Sequence, residues 1–139
     1  MSADFNSEET ARFNEDLVED SAGVTSEEQS AIDSLPEGNA LLIVTRGPNR
    51  GARFLLDADS TIAGRHPEAD IFLDDVTVSR KHVEFKRAGG EFEINDLGSL
   101  NGTYMLGERV DRAPLKNGND VQIGKFKMIF YSAPNKRGG

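Results

Sequence analysis

Turn-forming residues recur every few positions after Gly38, and this spacing favours short strands over long helices. The runs between the turns are rich in β-branched and aromatic residues, and none holds an apolar stripe of helical period for three turns. In residues 125–130 apolar and polar side chains alternate, as they do in a half-buried strand. We predict strands at residues 40–45, 52–56, 60–63, 70–73, 82–86, 91–95, 103–106, 120–123 and 125–131.

Many short strands within about 100 residues predict an all-β sandwich, in which two mainly antiparallel sheets close over one core. This folded domain is predicted at residues 38–133, and residues 134–139 are predicted to be a frayed basic end. The chain is expected to be a monomer.

The N-terminal segment has a different composition from the domain. Residues 1–37 carry eleven acids and one base, Arg12, so their net charge is −10, whereas the rest of the chain carries +2. Apolar residues are too sparse there to build a core, so residues 1–37 are predicted to be a disordered acidic tail. One brief turn is predicted around Ala31, Ile32 and Leu35, before Pro36.

Composition excludes several classes of function. The chain has no cysteine, which excludes disulfides and thiolate metal sites. No apolar run approaches the roughly 20 residues of a membrane span, and the acidic start lacks the hydrophobic stretch of a signal peptide. A net charge of −8 argues against nucleic-acid binding, which needs a basic surface. We expect a cytoplasmic protein with no cofactor, no metal site and no membrane partner.

Four loop pieces bring small polar or cationic side chains next to turn-forming residues. They are Gly64-Arg65-His66, Ser79-Arg80-Lys81-His82, Asp96-Leu97-Gly98-Ser99 and Leu100-Asn101-Gly102-Thr103. A guanidinium can hold phosphate oxygens through two parallel N–H bonds, and hydroxyls and backbone N–H groups can donate to the same oxygens. The set therefore predicts a phosphorylated peptide as the ligand. It contains no nucleophile–base pair, so no catalytic residue is predicted.

Each of these residues also has a purely structural interpretation. Arg65 can form a surface ion pair, Ser79 can cap a turn, and Asn101-Gly102 is a strong tight-turn dipeptide. For His82 the structural interpretation is preferred, because neither a nucleophile nor a metal is implied beside it. We predict that His82 braces the loops through buried hydrogen bonds.

In their order and spacing the loop motifs resemble the forkhead-associated (FHA) domain, a β-sandwich that binds phosphothreonine. Its Gly-Arg, Ser-x-x-His and Asn-Gly elements are matched by Gly64-Arg65, residues 79–82 and Asn101-Gly102, and the resemblance spans residues 40–131. It implies that Arg65 and Ser79 contact the phosphate and that Asn101 holds the peptide backbone. Gly64 and His82 are then structural, and the predicted binding set is completed by Arg80, Ser99 and Gly102.

The resemblance extends to one particular group of FHA-domain proteins. It is carried by residues 46–49, 51–57, 63–67, 70–80, 98–104 and 122–126. The group consists of the actinobacterial regulators called oxoglutarate dehydrogenase inhibitor or glycogen accumulation regulator. Their acidic tail has a threonine three residues before a phenylalanine, as Thr10 and Phe13 are spaced here. Serine/threonine kinases phosphorylate that threonine, and the tail then docks onto its own FHA domain.

This group implies the partners. Unphosphorylated, the chain is expected to bind and inhibit the 2-oxoglutarate dehydrogenase complex, with glutamate dehydrogenase and glutamate synthase as further partners. Thr10 is the expected phosphorylation site. Glu9 stands where the relatives usually have a second threonine, which implies a single phosphorylation input.

Two other functions stay open. An FHA adaptor would bind phosphothreonine on a separate protein, such as a serine/threonine kinase, and its tail would only solubilise it. A phosphatase would need a cysteine nucleophile, a metal cluster or an acid–base pair near Arg65. The sequence supplies none of these, so we do not expect an enzyme.

Overall fold

Two β-sheets form the folded part of the molecule. The computed structural model describes residues 24–134, and all its strands belong to the unit Ile32–Gly139. In chain order the strands are β1 (Ala40–Arg46), β2 (Arg53–Leu56), β3 (Ser60–Gly64), β4 (Ile71–Phe72), β5 (Val83–Ala88), β6 (Glu91–Asp96), β7 (Thr103–Met105), β8 (Glu108–Val110), β9 (Arg112–Leu115), β10 (Asp120–Ile123) and β11 (Phe126–Ser132).

The two sheets have six and five strands. The first has the order β2-β1-β11-β10-β7-β8 and the second the order β4-β3-β5-β6-β9. Among the described strands only the pair β3–β4 is parallel. The prediction of an all-β sandwich with mainly antiparallel sheets is confirmed.

The core lies between the sheets, and most strands turn alternate side chains towards it, whereas the first five residues of β1 are all buried. In β10, for example, Val121 and Ile123 are buried while Gln122 between them is exposed. Phe92 of β6 and Phe130 of β11 meet edge to face across the two sheets, with ring centroids 5.6 Å apart. Each fully buried side chain of this size stabilises the fold by about 1.5–3 kcal/mol.

Strands β8 and β9 are missing from the sequence prediction. Both are short strands at sheet edges. The residues of β8 face mostly outward, and β9 alternates over only four residues, which is too short a run to be recognised. Pro114 in β9 lacks an N–H and is tolerated because only one side of the strand is paired. The turn before β8 has positive φ at Leu106 and at Gly107, which gives a two-residue hairpin.

Helix α1 (Ser26–Asp33) lies within the segment predicted to be a disordered tail. Its start is a capping box: the Thr25 hydroxyl accepts the Glu28 N–H at 3.0 Å, and the Glu28 carboxylate accepts the Thr25 N–H at 3.1 Å. Ile32 and Leu35, which were assigned to a brief turn, are both buried. Within residues 24–134 no helix is long and apolar enough to cross a membrane.

Candidate functional site

The loops after β3 and before β5 are joined by their backbones. The N–H of Arg65 donates to the carbonyl oxygen of Ser79 at 2.9 Å. Gly64 permits this approach, because a Cβ at that position would overlap the Arg80 carbonyl oxygen and lie 2.7 Å from its carbon. The Arg65 and Ser79 side chains therefore start from neighbouring points.

The Arg65 guanidinium is weakly held within the protein. Its Nε lies 3.8 Å from a carboxylate oxygen of Asp74, and its side chain is 45% exposed. An ion pair this long and this exposed contributes little to stability. Arg80, the next cation on these loops, is also exposed. Both cations are therefore accessible to an anionic ligand.

The Ser79 hydroxyl is oriented by the next loop. Its oxygen accepts the N–H of Leu100 at 3.0 Å, and the residue is only partly buried. Because the oxygen serves as the acceptor in that bond, the hydroxyl hydrogen remains available to donate. Ser79 thus presents a donor on the loop whose backbone is bonded to that of Arg65.

His82 lies fully buried between two of the loops. Its Nδ1 accepts the N–H of Ser79 at 3.1 Å, and its Nε2 lies 2.9 Å from the carbonyl oxygen of Gly102. Since Nδ1 is the acceptor, Nε2 carries the proton and donates to Gly102. His66, by contrast, accepts the N–H of Glu68 at 3.0 Å and closes a turn within the Arg65 loop.

Asp96 organises the loop that carries Ser99. One carboxylate oxygen accepts the N–H groups of Gly98 and Ser99, each at 2.8 Å, and the other accepts the hydroxyls of Ser99 and Thr103, each at 2.6 Å. Burial, the largest single influence, raises the pKa of Asp96, but these hydrogen bonds together outweigh it. Its pKa therefore lies below the usual 3.8.

Ser99 is engaged within this loop. It is 7% exposed, it donates its hydroxyl to Asp96, and it accepts the N–H of Gly102 at 2.9 Å. The hydroxyl hydrogen of Ser99 is thus already used inside the protein, unlike that of Ser79. Sequence reasoning did not select Asp96 as a site residue, although an aspartate three residues before a serine in a Gly-containing turn is a usable signal.

The Asn101 carboxamide is exposed and holds the neighbouring loop through one bond. Its Nδ2 donates to the carbonyl oxygen of Thr77 at 3.0 Å. Thr77 in turn donates its hydroxyl to Asp75 and accepts the N–H of Lys125 at 2.9 Å. The Thr77 hydroxyl bond is the main reason that the pKa of Asp75 is lowered. Asn101 is thereby connected to the turn between β10 and β11.

A groove of about 340 Å³ opens beside Asn101. It is lined by Thr77, Asn101, Gly102, Tyr104, Gln122, Gly124 and Lys125. Gly124 has φ +58, and a Cβ there would lie 2.5 Å from the Thr77 hydroxyl oxygen, so only glycine lets the loops meet. Sequence reasoning missed Thr77 and Gly124, because their contact joins residues far apart in the chain.

The arrangement offers donors that are suited to binding an anion. Arg65, Ser79 and Asn101 converge from three loops, with His82 and Asp96 behind them. Within residues 24–134 no group of three His, Cys, Asp or Glu residues could hold a metal ion. Thr10 and Phe13 lie outside the described residues.

Comparisons with known proteins agree with this geometry. The FHA domain model matches residues 61–124, the span that contains Arg65, Ser79 and Asn101. The chain is 53% identical over 138 residues to the glycogen accumulation regulator GarA of Mycolicibacterium smegmatis, covering 96% of this chain and 87% of that protein. It is 54% identical over 128 residues to the oxoglutarate dehydrogenase inhibitor of Corynebacterium efficiens, covering 91% of this chain and 90% of that protein.

The chain belongs to the FHA-domain family of GarA and the oxoglutarate dehydrogenase inhibitors. The names of these relatives describe regulators and inhibitors, not enzymes. An FHA domain solved in a study of phosphothreonine-dependent FHA interactions is 29% identical, with a TM-score of 0.64. That similarity covers 70% of this chain and 99% of the solved chain.

Proposed function

We propose that this protein is a phosphothreonine-binding regulator that inhibits 2-oxoglutarate dehydrogenase until its own phosphorylated Thr10 occupies the FHA site. One observation carries the proposal: the Arg65 N–H donates to the Ser79 carbonyl oxygen, so the backbones that carry a guanidinium and a hydroxyl donor meet at this point. The relatives named oxoglutarate dehydrogenase inhibitor support the enzyme target.

The phosphate is held by charge-assisted hydrogen bonds. Arg65 donates two N–H groups to phosphate oxygens, and Ser79 donates its hydroxyl, which the Leu100 N–H has already oriented. Arg80 adds positive potential at the mouth of the pocket. Asn101 keeps its Nδ2 on Thr77 and accepts a peptide N–H at Oδ1.

Other members of the predicted set position these groups. Ser99 and Gly102 shape the Asn101 loop through the Asp96 and His82 bonds. Gly64 lets the Arg65 and Ser79 loops meet. In the same proposal the groove beside Asn101 receives Phe13, three residues after the phosphothreonine.

The switch works by charge and tethering. Phosphorylation gives Thr10 roughly −1.5 to −2 charges and three strong acceptors. As a flexible chain the 15 residues from Thr10 to Thr25, ahead of α1, span about 20 Å, and the eight residues of α1 add about 12 Å. Tethering at that range gives an effective concentration of order mM, so a peptide affinity of micromolar order keeps the site occupied. The phosphorylated tail then competes with external partners.

A titration tests self-docking. An external phosphothreonine peptide is added to unphosphorylated protein, to Thr10-phosphorylated protein and to kinase-treated Thr10→Ala protein. We expect micromolar binding to the first and third proteins and at least about tenfold weaker binding to the second. Full affinity in the phosphorylated protein would contradict self-docking.

An enzyme assay and a pull-down test the targets. Unphosphorylated protein should inhibit purified 2-oxoglutarate dehydrogenase complex, and phosphorylation of Thr10 should relieve the inhibition. In a cytoplasmic extract the unphosphorylated protein should capture that complex, together with glutamate dehydrogenase and glutamate synthase. Capture of a phosphorylated serine/threonine kinase alone would instead support the adaptor function.

A further inference from the structure

Arg109 lies next to the proposed phosphopeptide site, in strand β8, which the sequence motifs do not include. It pairs across the β7–β8 hairpin with Tyr104, which lines the groove beside Asn101. A Cβ on Gly102 would lie 2.8 Å from the Arg109 Nε and 3.0 Å from its Cζ. The guanidinium therefore rests against the bare backbone of Gly102.

Gly102, against which Arg109 rests, is held in place by hydrogen bonds on both of its backbone groups. Its N–H is bonded to Ser99 and its carbonyl oxygen to His82, so the residue is tied to the buried bracing of the site. Its φ of +87 and its lack of a side chain both favour glycine at this position. The position of the Arg109 head group is thus coupled to the position of Asn101, one residue before Gly102.

The charge of Arg109 has no partner in the described part of the chain. Across residues 24–134 it makes no ion pair within 4.0 Å and no hydrogen bond, and it is exposed. Arg87 and Arg112, by contrast, each pair with a carboxylate. Lys125 lines the groove, and its charge is one of the causes that lower the pKa of Asp75. The groove thus has one cation in its lining and a second, unpaired one, Arg109, against its Gly102.

We propose that Arg109 is a specificity residue that binds carboxylates following the phosphothreonine in the docked peptide. The inference rests on the proposed function, because it takes Thr10 as the phosphorylated residue and the groove as the place of Phe13. A chain that enters the groove at Phe13 leaves it at the rim within two or three residues. Glu15 and Asp16 stand at those positions, so their carboxylates are the expected partners of Arg109.

The expected effect is modest because the pair is exposed. Surface ion pairs correspond to about a two- to fivefold change in affinity, and salt screens them. The contribution of Arg109 should therefore shrink at high ionic strength. The phosphate contacts of Arg65 and Ser79 should dominate binding under all conditions.

A double-mutant cycle tests the pairing on the full-length protein carrying Thr10→Ala, so that its own tail does not compete. The probes are a Thr10-phosphorylated peptide of residues 5–20, the same peptide with Glu15→Gln and Asp16→Asn, and a third with Glu8→Gln and Glu9→Gln. Arg109→Gln should weaken binding of the first and third peptides about threefold and leave the second unchanged. Arg112→Gln, an exposed arginine change on the other sheet, should change none of them.

The outcomes separate the two proposals. An unphosphorylated peptide of residues 5–20 serves as a fourth probe, and if the parent protein binds it as tightly as the phosphorylated one, the proposed function itself fails. If binding depends on phosphate but Arg109→Gln affects all three peptides equally, or none, only the Arg109 inference is overturned. Coupling to Glu8 and Glu9 instead of Glu15 and Asp16 would also overturn it. Thermal unfolding of Arg109→Gln should match that of the parent protein.

Discussion

Arg65 and Arg87 lie near opposite ends of strand β5 and have different functions. The near end, at Val83, lies beside the proposed phosphate site, and the far end is at Ala88. At the far end Arg87 donates from Nε and Nη2 to Asp59, each at 3.1 Å, and from Nη1 to Gly38 and Asn39 at 3.2 and 3.0 Å. At the near end Arg65 has only the 3.8 Å contact with Asp74. Arg87 clamps the start of the domain, whereas the donors of Arg65 remain open to a ligand.

The residues around Arg65 are firmly held by hydrogen bonds, although the Arg65 side chain itself is not. His82, Asp96 and Ser99 use their polar atoms within the protein, and among the described residues no buried side-chain nitrogen or oxygen lacks a partner. The binding groups are therefore exposed but are held by a saturated layer behind them. This separation predicts that some changes impair binding alone and others impair stability.

The largest expected effect is the loss of phosphopeptide affinity in Arg65→Ala. Removing a charge-assisted bidentate contact should weaken binding of the Thr10-phosphorylated peptide at least about 100-fold, or about 3 kcal/mol. The Tm should stay within 1–2 °C of the parent, on the order expected for loss of a weak surface ion pair. Isothermal titration calorimetry measures the peptide affinity, and thermal unfolding measures the Tm. A drop in Tm without a drop in affinity would reverse the roles assigned to the two arginines.

The next effect is a loss of stability in His82→Ala. The substitution leaves the Ser79 N–H and the Gly102 carbonyl without their partners in a buried region, which should lower the free energy of unfolding by about 2–3 kcal/mol. Urea unfolding measures the change. His66→Ala is the matched control, because His66 makes one bond within a turn and should change stability by less than about 1 kcal/mol. Equal losses in both variants would show that His82 is not a brace.

Arg87→Met should affect stability only. It removes four hydrogen bonds from a largely buried side chain, and we expect a loss of about 1–2 kcal/mol in unfolding free energy. Phosphopeptide affinity should be unchanged, because Arg87 lies near the end of β5 that is farther from the Arg65 loop. Weaker peptide binding in a folded Arg87→Met protein would mean that the two ends are coupled.

The smallest expected effect is on the pH dependence of stability. Because the folded-state pKa of Asp96 lies below its unfolded value near 3.8, its ionised form stabilises the fold above that pH. The contribution is lost as pH falls from about 4 through the folded pKa. Asp96→Asn should therefore flatten the acid limb of a plot of unfolding free energy against pH. If the acid limb had the same slope in Asp96→Asn as in the parent protein, Asp96 would not contribute to the pH dependence of stability.

Local sequence patterns were sufficient for most of the fold. Apolar, β-branched runs bounded by turn-forming residues located nine of the strands. They missed Glu108–Val110 and Arg112–Leu115, sheet-edge strands of three and four residues that are too short to show a clear pattern. They also missed the full extent of α1, although Thr25 and Glu28 form a recognisable capping box.

The contacts within the candidate site were harder to predict from local sequence patterns than the strands were. Arg65, Ser79 and Asn101 could be selected as polar residues in loops, and the family resemblance supplied their roles. The bonds from Asn101 to Thr77 and from His82 to Gly102 join residues more than fifteen positions apart, so no local spacing reveals them. Arg109 was missed for the same reason, since only the folded hairpin brings it against Gly102.

An NMR titration of the ¹⁵N-labelled Thr10→Ala protein with the Thr10-phosphorylated peptide tests the central claim most directly. The account predicts that the amides of Arg65, Ser79, Leu100 and Asn101 shift together, that Arg87 and Asn39 stay in place, and that the unphosphorylated peptide shifts neither set. Phosphate-dependent shifts around Arg87, with Arg65 and Ser79 unmoved, would contradict it.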